Sequence, residues 1–138
     1  MMRSDRLTPT LLLMIATSGL MSVALGAFAA HGMSDAKAID WLKTGSHYQI
    51  THALAALGSL IWWRLAPAPT WSLPRLAVVA FLIGASLFSG ALYGLAFGGP
   101  RWLGMVAPLG GLTLMLGWGL LGLSAIRALM TAPNPDRL

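Results

Sequence analysis

From Leu7 to Ala30 the chain runs for 24 residues without an Asp, Glu, Lys or Arg. A helix needs about 20 apolar residues to cross the ~30 Å hydrocarbon layer of a bilayer. Three more uncharged runs follow, His47–Trp63 with 17 residues, Leu76–Phe97 with 22 and Trp102–Ile126 with 25. Lipid offers no partner for backbone N–H and C=O groups, so a spanning run must pair them internally, as a helix does. The expected fold is therefore all-α: four transmembrane helices, near residues 8–30, 46–63, 76–97 and 102–126, in one membrane domain of 138 residues.

The ends of the runs agree with that reading. Trp62, Trp63 and Arg64 close the second run with side chains that favour the membrane interface. Residues 64–75 hold Pro67, Pro69 and Pro74 and read as a non-helical connection, whereas Pro108 falls inside the fourth run and predicts a kink. The tail from Arg127 is polar and is expected to be mobile. Arg3 and Arg6 ahead of an apolar stretch, with Ala27-Phe28-Ala29 behind, have a signal-peptide look. The run is long for a signal core, so a retained helix is expected. With 57% hydrophobic and 9% charged residues, the apolar content exceeds what a soluble core of this size can hide. The net charge of +5 comes from single basic residues at run ends, which anchor helices and point to no nucleic-acid partner. Cysteine is absent, which excludes disulfides and thiolate chemistry. Four spans place Arg3, Arg6, Arg64, Arg75, Arg127 and Arg137 on one side and Lys37, Lys43 and Arg101 on the other. By the positive-inside rule both termini are then cytoplasmic.

Polar chemistry is gathered in residues 26–57, which hold all three histidines, His31, His47 and His52. Ser34–Gly45 mixes Ala38, Ile39, Trp41 and Leu42 with Asp35, Lys37, Asp40 and Lys43. That pattern predicts a short amphipathic helix in the interface, N-capped by Ser34. Two small-residue ladders, Ser18-Ser22-Gly26-Ala30 and Ser86-Gly90-Gly94-Gly98, recur every fourth residue and read as helix-packing seams.

The motifs Gly26-Ala27-Phe28-Ala29-Ala30-His31-Gly32, Thr44-Gly45, Tyr48-Gln49 and His52-Ala53-Leu54-Ala55 occur in this order. Phe88-Ser89-Gly90-Ala91-Leu92-Tyr93, Arg101-Trp102-Leu103-Gly104 and Pro108-Leu109-Gly110-Gly111 follow. The combination resembles the domain of unknown function 423 family, small membrane proteins that include the bacterial YgdD-like and eukaryotic transmembrane protein 256-like proteins. The resemblance covers roughly residues 10–126. It implies a multi-pass four-helix protein of the bacterial inner (plasma) membrane, and it carries over no catalytic residue. His31 and His52 stand at pattern positions; His47 stands where the pattern varies.

Tyr48, Gln49 and His52 share one helix face through i+3 and i+4 spacing. The expected topology brings His31, Tyr93 and Arg101 to the same membrane side. These six residues read in two ways: an outward-facing ligand pocket, or a hydrogen-bond network that clamps helix ends. No three ligands have metal-site spacing, no carboxylate lies in the four runs, and no Ser/His/Asp set occurs. Neither a metal nor a cofactor is expected, nor a proton path across the protein. The leading functional reading is a non-enzymatic accessory or scaffold subunit of a larger membrane assembly. Its expected partners are the bilayer and other membrane subunits or further copies of itself. The alternative is a binder of, or enzyme acting on, a lipid or quinone headgroup.

Overall fold

A computed structural model describes residues 6–65 and 72–132. The described chain is four α-helices: α1 Leu7–His31, α2 Ala36–Leu65, α3 Ser72–Ala96 and α4 Leu103–Thr131. α1 packs on α2, α2 on α3, and α3 on α4. Phe28 near the end of α1 meets Phe97 just past the end of α3, ring centroids 5.8 Å apart. The helices therefore alternate in direction, with the α1–α2 and α3–α4 connections at one end. Three helices, α1, α3 and α4, are long and apolar enough to cross a membrane.

One expectation is corrected here, and a second is met only in part. The amphipathic segment is no separate interfacial helix, because residues 36–45 are the first turns of the 30-residue α2. Gly45 reads as a boundary, yet the helix runs through it because tertiary contacts hold it: Ser89 Oγ donates to the Gly45 carbonyl at 2.8 Å. A Cβ at Gly45 would stand 2.6 Å from the Tyr93 ring, so the missing side chain is what admits the tyrosine. Second, α2 is not among the helices apolar enough to qualify as a span. It carries Gln49, His52 and Ser59, which are buried inside the protein instead of being replaced by apolar residues.

Boundaries shift for local reasons. Asp35, not Ser34, caps α2, its carboxylate accepting from the Ala38 amide at 2.8 Å. α3 already includes Pro74, which sits in the first turn, where its missing N–H costs nothing. α4 continues past Arg127 to Thr131, so part of the expected tail is helix; Pro67 and Pro69 lie outside the described residues. Gly98, with φ +81°, ends α3 in the left-handed conformation, and the Gly99 amide donates back to the Gly94 carbonyl at 2.7 Å.

Between helices in lipid, packing and hydrogen bonds hold the structure, since lipid tails are as apolar as leucine. On α1, Leu11, Ile15, Ser22 and Ala29 form the buried stripe. Ser22 Oγ donates to the Ser46 carbonyl at 2.9 Å, and Ser46 Oγ donates back to the Ser22 carbonyl at 2.7 Å. The first small-residue ladder thus faces α2 at Ser22 and Gly26, while Ala30 drifts to the surface. The second ladder is only partly a seam: a Cβ on Gly94 would stand 2.5 Å from the Leu103 side chain at the start of α4. Gly90 is exposed, and a Cβ there would meet nothing within 4 Å. The seam of α3 is Phe81, Gly84 and Phe88, set against Gly117, Leu114 and Gly110 of the antiparallel α4. A Cβ on Gly84 would lie 2.9 Å from the Leu114 amide nitrogen, and one on Gly110 would lie 2.8 Å from the Phe88 Cα.

Candidate functional site

The polar side chains of α2 and α3 meet where these helices pack. α2 supplies Gly45, Tyr48, Gln49 and His52 at helical spacing, so one face presents all four. α3 supplies Phe81, Phe88, Ser89 and Tyr93. The Tyr93 hydroxyl donates to Gln49 Oε1 at 2.6 Å. Both residues are buried. Four residues toward Ser72, Ser89 makes its bond to the Gly45 carbonyl. Among the described residues no buried side-chain nitrogen or oxygen lacks a hydrogen-bond partner.

His52 is 7% exposed. Its Nδ1 lies 2.7 Å from the Tyr48 carbonyl oxygen, which can only accept, so Nδ1 carries a proton and donates. In the neutral ring Nε2 is then an acceptor. Aromatic rings surround it: Tyr48 stacks at 5.8 Å, Phe81 lies at 5.8 Å and Trp118 stands edge-on at 6.2 Å. Phe88 packs on Tyr48 at 4.5 Å, and Phe81 on Trp118 at 5.2 Å. Gly117 makes the last contact reachable, since a Cβ there would lie 2.7 Å from the Phe81 ring. Farther along, the Trp62 indole N–H donates to Ser124 Oγ at 2.9 Å and ties α2 to α4.

Of the six expected site residues, the structure joins Tyr48, Gln49, His52 and Tyr93. His31 and Arg101 are exposed at the connection end, and among the described residues neither side chain hydrogen-bonds to the other four. His52 follows Ala36 by 16 residues, about 24 Å along the helix, and it packs on Phe81 near the middle of α3. His47 is exposed and turns its ring only toward Tyr48, at 6.3 Å. Sequence reasoning missed Gly45, Phe81, Phe88, Ser89 and Trp118 as parts of this cluster. The signal for the α3 pair was the distance of four between Ser89 and Tyr93; Trp118 carried none, because its place depends on the α3–α4 register.

Residues 25–111, which hold this arrangement except Trp118 and Ser124, match the family described as "Protein of unknown function (DUF423)". The chain is 42% identical over 110 residues to a "UPF0382 membrane protein" of Haemophilus influenzae, covering 78% of this chain and 86% of that one. It is 40% identical over 122 residues to the "UPF0382 inner membrane protein YgdD" of Escherichia coli K12, covering 85% and 89%. A fission-yeast protein, the "UPF0382 membrane protein C1782.12c" of Schizosaccharomyces pombe, is 31% identical over 112 residues, covering 75% and 90%. No solved structure matches the chain. Likeness on this scale, together with three helices long and apolar enough to cross a membrane, means that the chain belongs to the DUF423 (UPF0382) family of membrane proteins.

Proposed function

We propose that this protein is a four-span, inner-membrane, non-enzymatic accessory or scaffold subunit of a larger membrane assembly. The observation that carries the reading is how its polarity is spent. Gln49, Ser89 and Tyr93 bond to one another's helices, and Ser22 and Ser46 do the same between α1 and α2. Helix surface, not chemistry, is what the flanks present. Of the most apolar stretch, 56% is buried in α3 but only 17% in α1 and 22% in α4. The lipid or quinone headgroup reading, held by a His/Tyr/Arg pocket at the outer end, draws less support because His31 and Arg101 stand apart from the cluster.

α2 is proposed as the fourth span. Thirty helical residues extend about 45 Å, enough to cross the hydrocarbon and both interfaces. Ser46 turns toward α1 and Gln49 toward α3, and the buried His52 packs on Phe81 of α3, so part of the polarity of this helix is kept from lipid. Arg64, Arg75 and Arg127 lie at one end of the bundle, Lys37, Lys43 and Arg101 at the other, which supports cytoplasmic termini. Cysteines placed at the exposed Ala36 and Pro100 should react with an impermeant thiol reagent in intact cells. Labelling at Asn134 with none at Ala36 would mean the opposite orientation.

A photoreactive residue at Leu13 or Met115, which are 68% and 69% exposed, tests the scaffold reading. Each should give a discrete protein adduct in cells, unchanged when an unrelated membrane protein is overproduced. Adducts to lipid alone would sink the proposal.

A further inference from the structure

We infer that His52 and the rings around it form a binding site, deep in the bilayer, for a neutral, planar, hydroxyl-bearing lipid-soluble molecule with the chemistry of a quinol. This does not depend on the scaffold reading, and it uses neither His31 nor Arg101.

The first observation is one unspent atom. Nδ1 of His52 is committed to the Tyr48 carbonyl, and Nε2 takes no hydrogen bond among the described residues. No buried side-chain nitrogen or oxygen there is left without a partner, so the residual 7% exposure of His52 must reach Nε2. The second is depth. His52 stands about 24 Å from Ala36 and about 20 Å from Leu65 along α2, and Phe81, its neighbour, lies in the interior of α3. If α3 crosses the bilayer, as its length and composition allow, Nε2 opens near the hydrocarbon midplane. Lipid tails supply no donor there, and an ionisable group at such a depth is retained at a cost and usually has a partner.

The surroundings define that partner. α2 and α4 flank α3, and Trp62 with Ser124 bridges them farther along. Phe81 beside His52 is fully buried, whereas the two other rings that meet the imidazole keep open surface: Tyr48 is 40% exposed and Trp118 49% exposed. Partly open aromatic rings favour a planar ring in stacked or edge-on contact. Among the described residues the partners of His52 are a backbone carbonyl and aromatic rings, none of them charged, so a charged ligand would gain little from them to offset its desolvation. An acceptor nitrogen selects an O–H donor. A hydroxylated aromatic ring dissolved in the bilayer meets all three demands.

The test uses the full chain in lipid nanodiscs under anaerobic conditions, with decyl-hydroquinone as probe and its dimethyl ether, which has no O–H, as control. Wild type should retain the hydroquinone saturably, about one per chain beyond empty nanodiscs, and three- to tenfold more tightly than the ether, as one hydrogen bond allows (roughly 0.5–1.5 kcal/mol). His52→Phe should abolish that preference while still binding both probes. Trp118→Leu should weaken both probes alike. The wild-type comparison alone suffices if either variant misfolds. Equal retention of the two probes by wild type, or no retention beyond empty nanodiscs, overturns the site.

Discussion

Gly110→Ala should lower the thermal stability of the detergent-solubilised protein by the equivalent of about 1–3 kcal/mol, while Gly90→Ala should not lower it at all. The two glycines look alike in the sequence, both inside apolar helices rich in small residues. Their surroundings differ completely. A methyl group on Gly110 would stand 2.8 Å from the Cα of Phe88 and closer still to its amide nitrogen. Backbone cannot rotate out of the way as a side-chain tip can, so α3 and α4 must separate. Neighbouring contacts follow, because Leu114 is seated against Gly84 and the Phe81 ring against Gly117 on the same seam. At Gly90 the added methyl meets nothing within 4 Å, and alanine is worth up to about 1 kcal/mol more than glycine in a helix interior. Separation at Gly110 should also pull Phe88 from Tyr48, whose ring lies 4.5 Å away, so near-ultraviolet circular dichroism should change along with the melting temperature. A Gly110→Ala protein that melts with wild type would show that the α3–α4 seam runs elsewhere.

The same pair of glycines shows what could be read from the sequence and what could not. Uncharged length gives helices in lipid almost directly, because the bilayer leaves few other ways to pair a backbone. That logic recovers α1, α3 and α4. It also marks 46–63 within α2 but misplaces the start of that helix. α2 begins at Ala36, and its first turns carry charge, so the uncharged run shows only its later part. Gly45 looks like a helix end because glycine is a poor helix former, yet the Tyr93 ring needs its bare backbone. Periodicity places Tyr48, Gln49 and His52 on one face of α2, since that needs only the helical repeat. Finding what they face needs the rotation and vertical register of α3 and α4. A ladder of small residues does not supply these: in Ser86-Gly90-Gly94-Gly98, Gly94 lies against Leu103 while Gly90 is exposed, and Gly84, outside the ladder, meets the Leu114 backbone. Membrane side alone groups His31 and Arg101 with the cluster; it says nothing about depth, and depth is what separates them from His52.

Tyr93→Phe should cost about 1–2 kcal/mol, at the upper end of what interhelical hydrogen bonds contribute in bilayers. Gln49→Leu added to it should recover at least half of that loss. The reasoning turns on what is left behind. Phenylalanine fills the same volume above Gly45, so packing is nearly unchanged. Gln49 is 6% exposed, and its Oε1 would lose the 2.6 Å hydrogen bond from the tyrosine hydroxyl inside the α2–α3 interface. An orphaned buried acceptor costs more than the net worth of the bond, whereas removing both partners leaves nothing unpaired. The cycle therefore separates the two readings of this pair. A clamp between α2 and α3 gives a large single-mutant loss, a partial rescue in the double mutant, and no change in the lipids that co-purify. A ligand-holding pair would behave otherwise: Tyr93→Phe would leave the melting temperature nearly in place and strip a bound lipid or quinone from the purified protein. Because Ser89 holds the Gly45 carbonyl independently at 2.8 Å, neither substitution should unfold the α2–α3 interface, and both outcomes can be read on a folded protein.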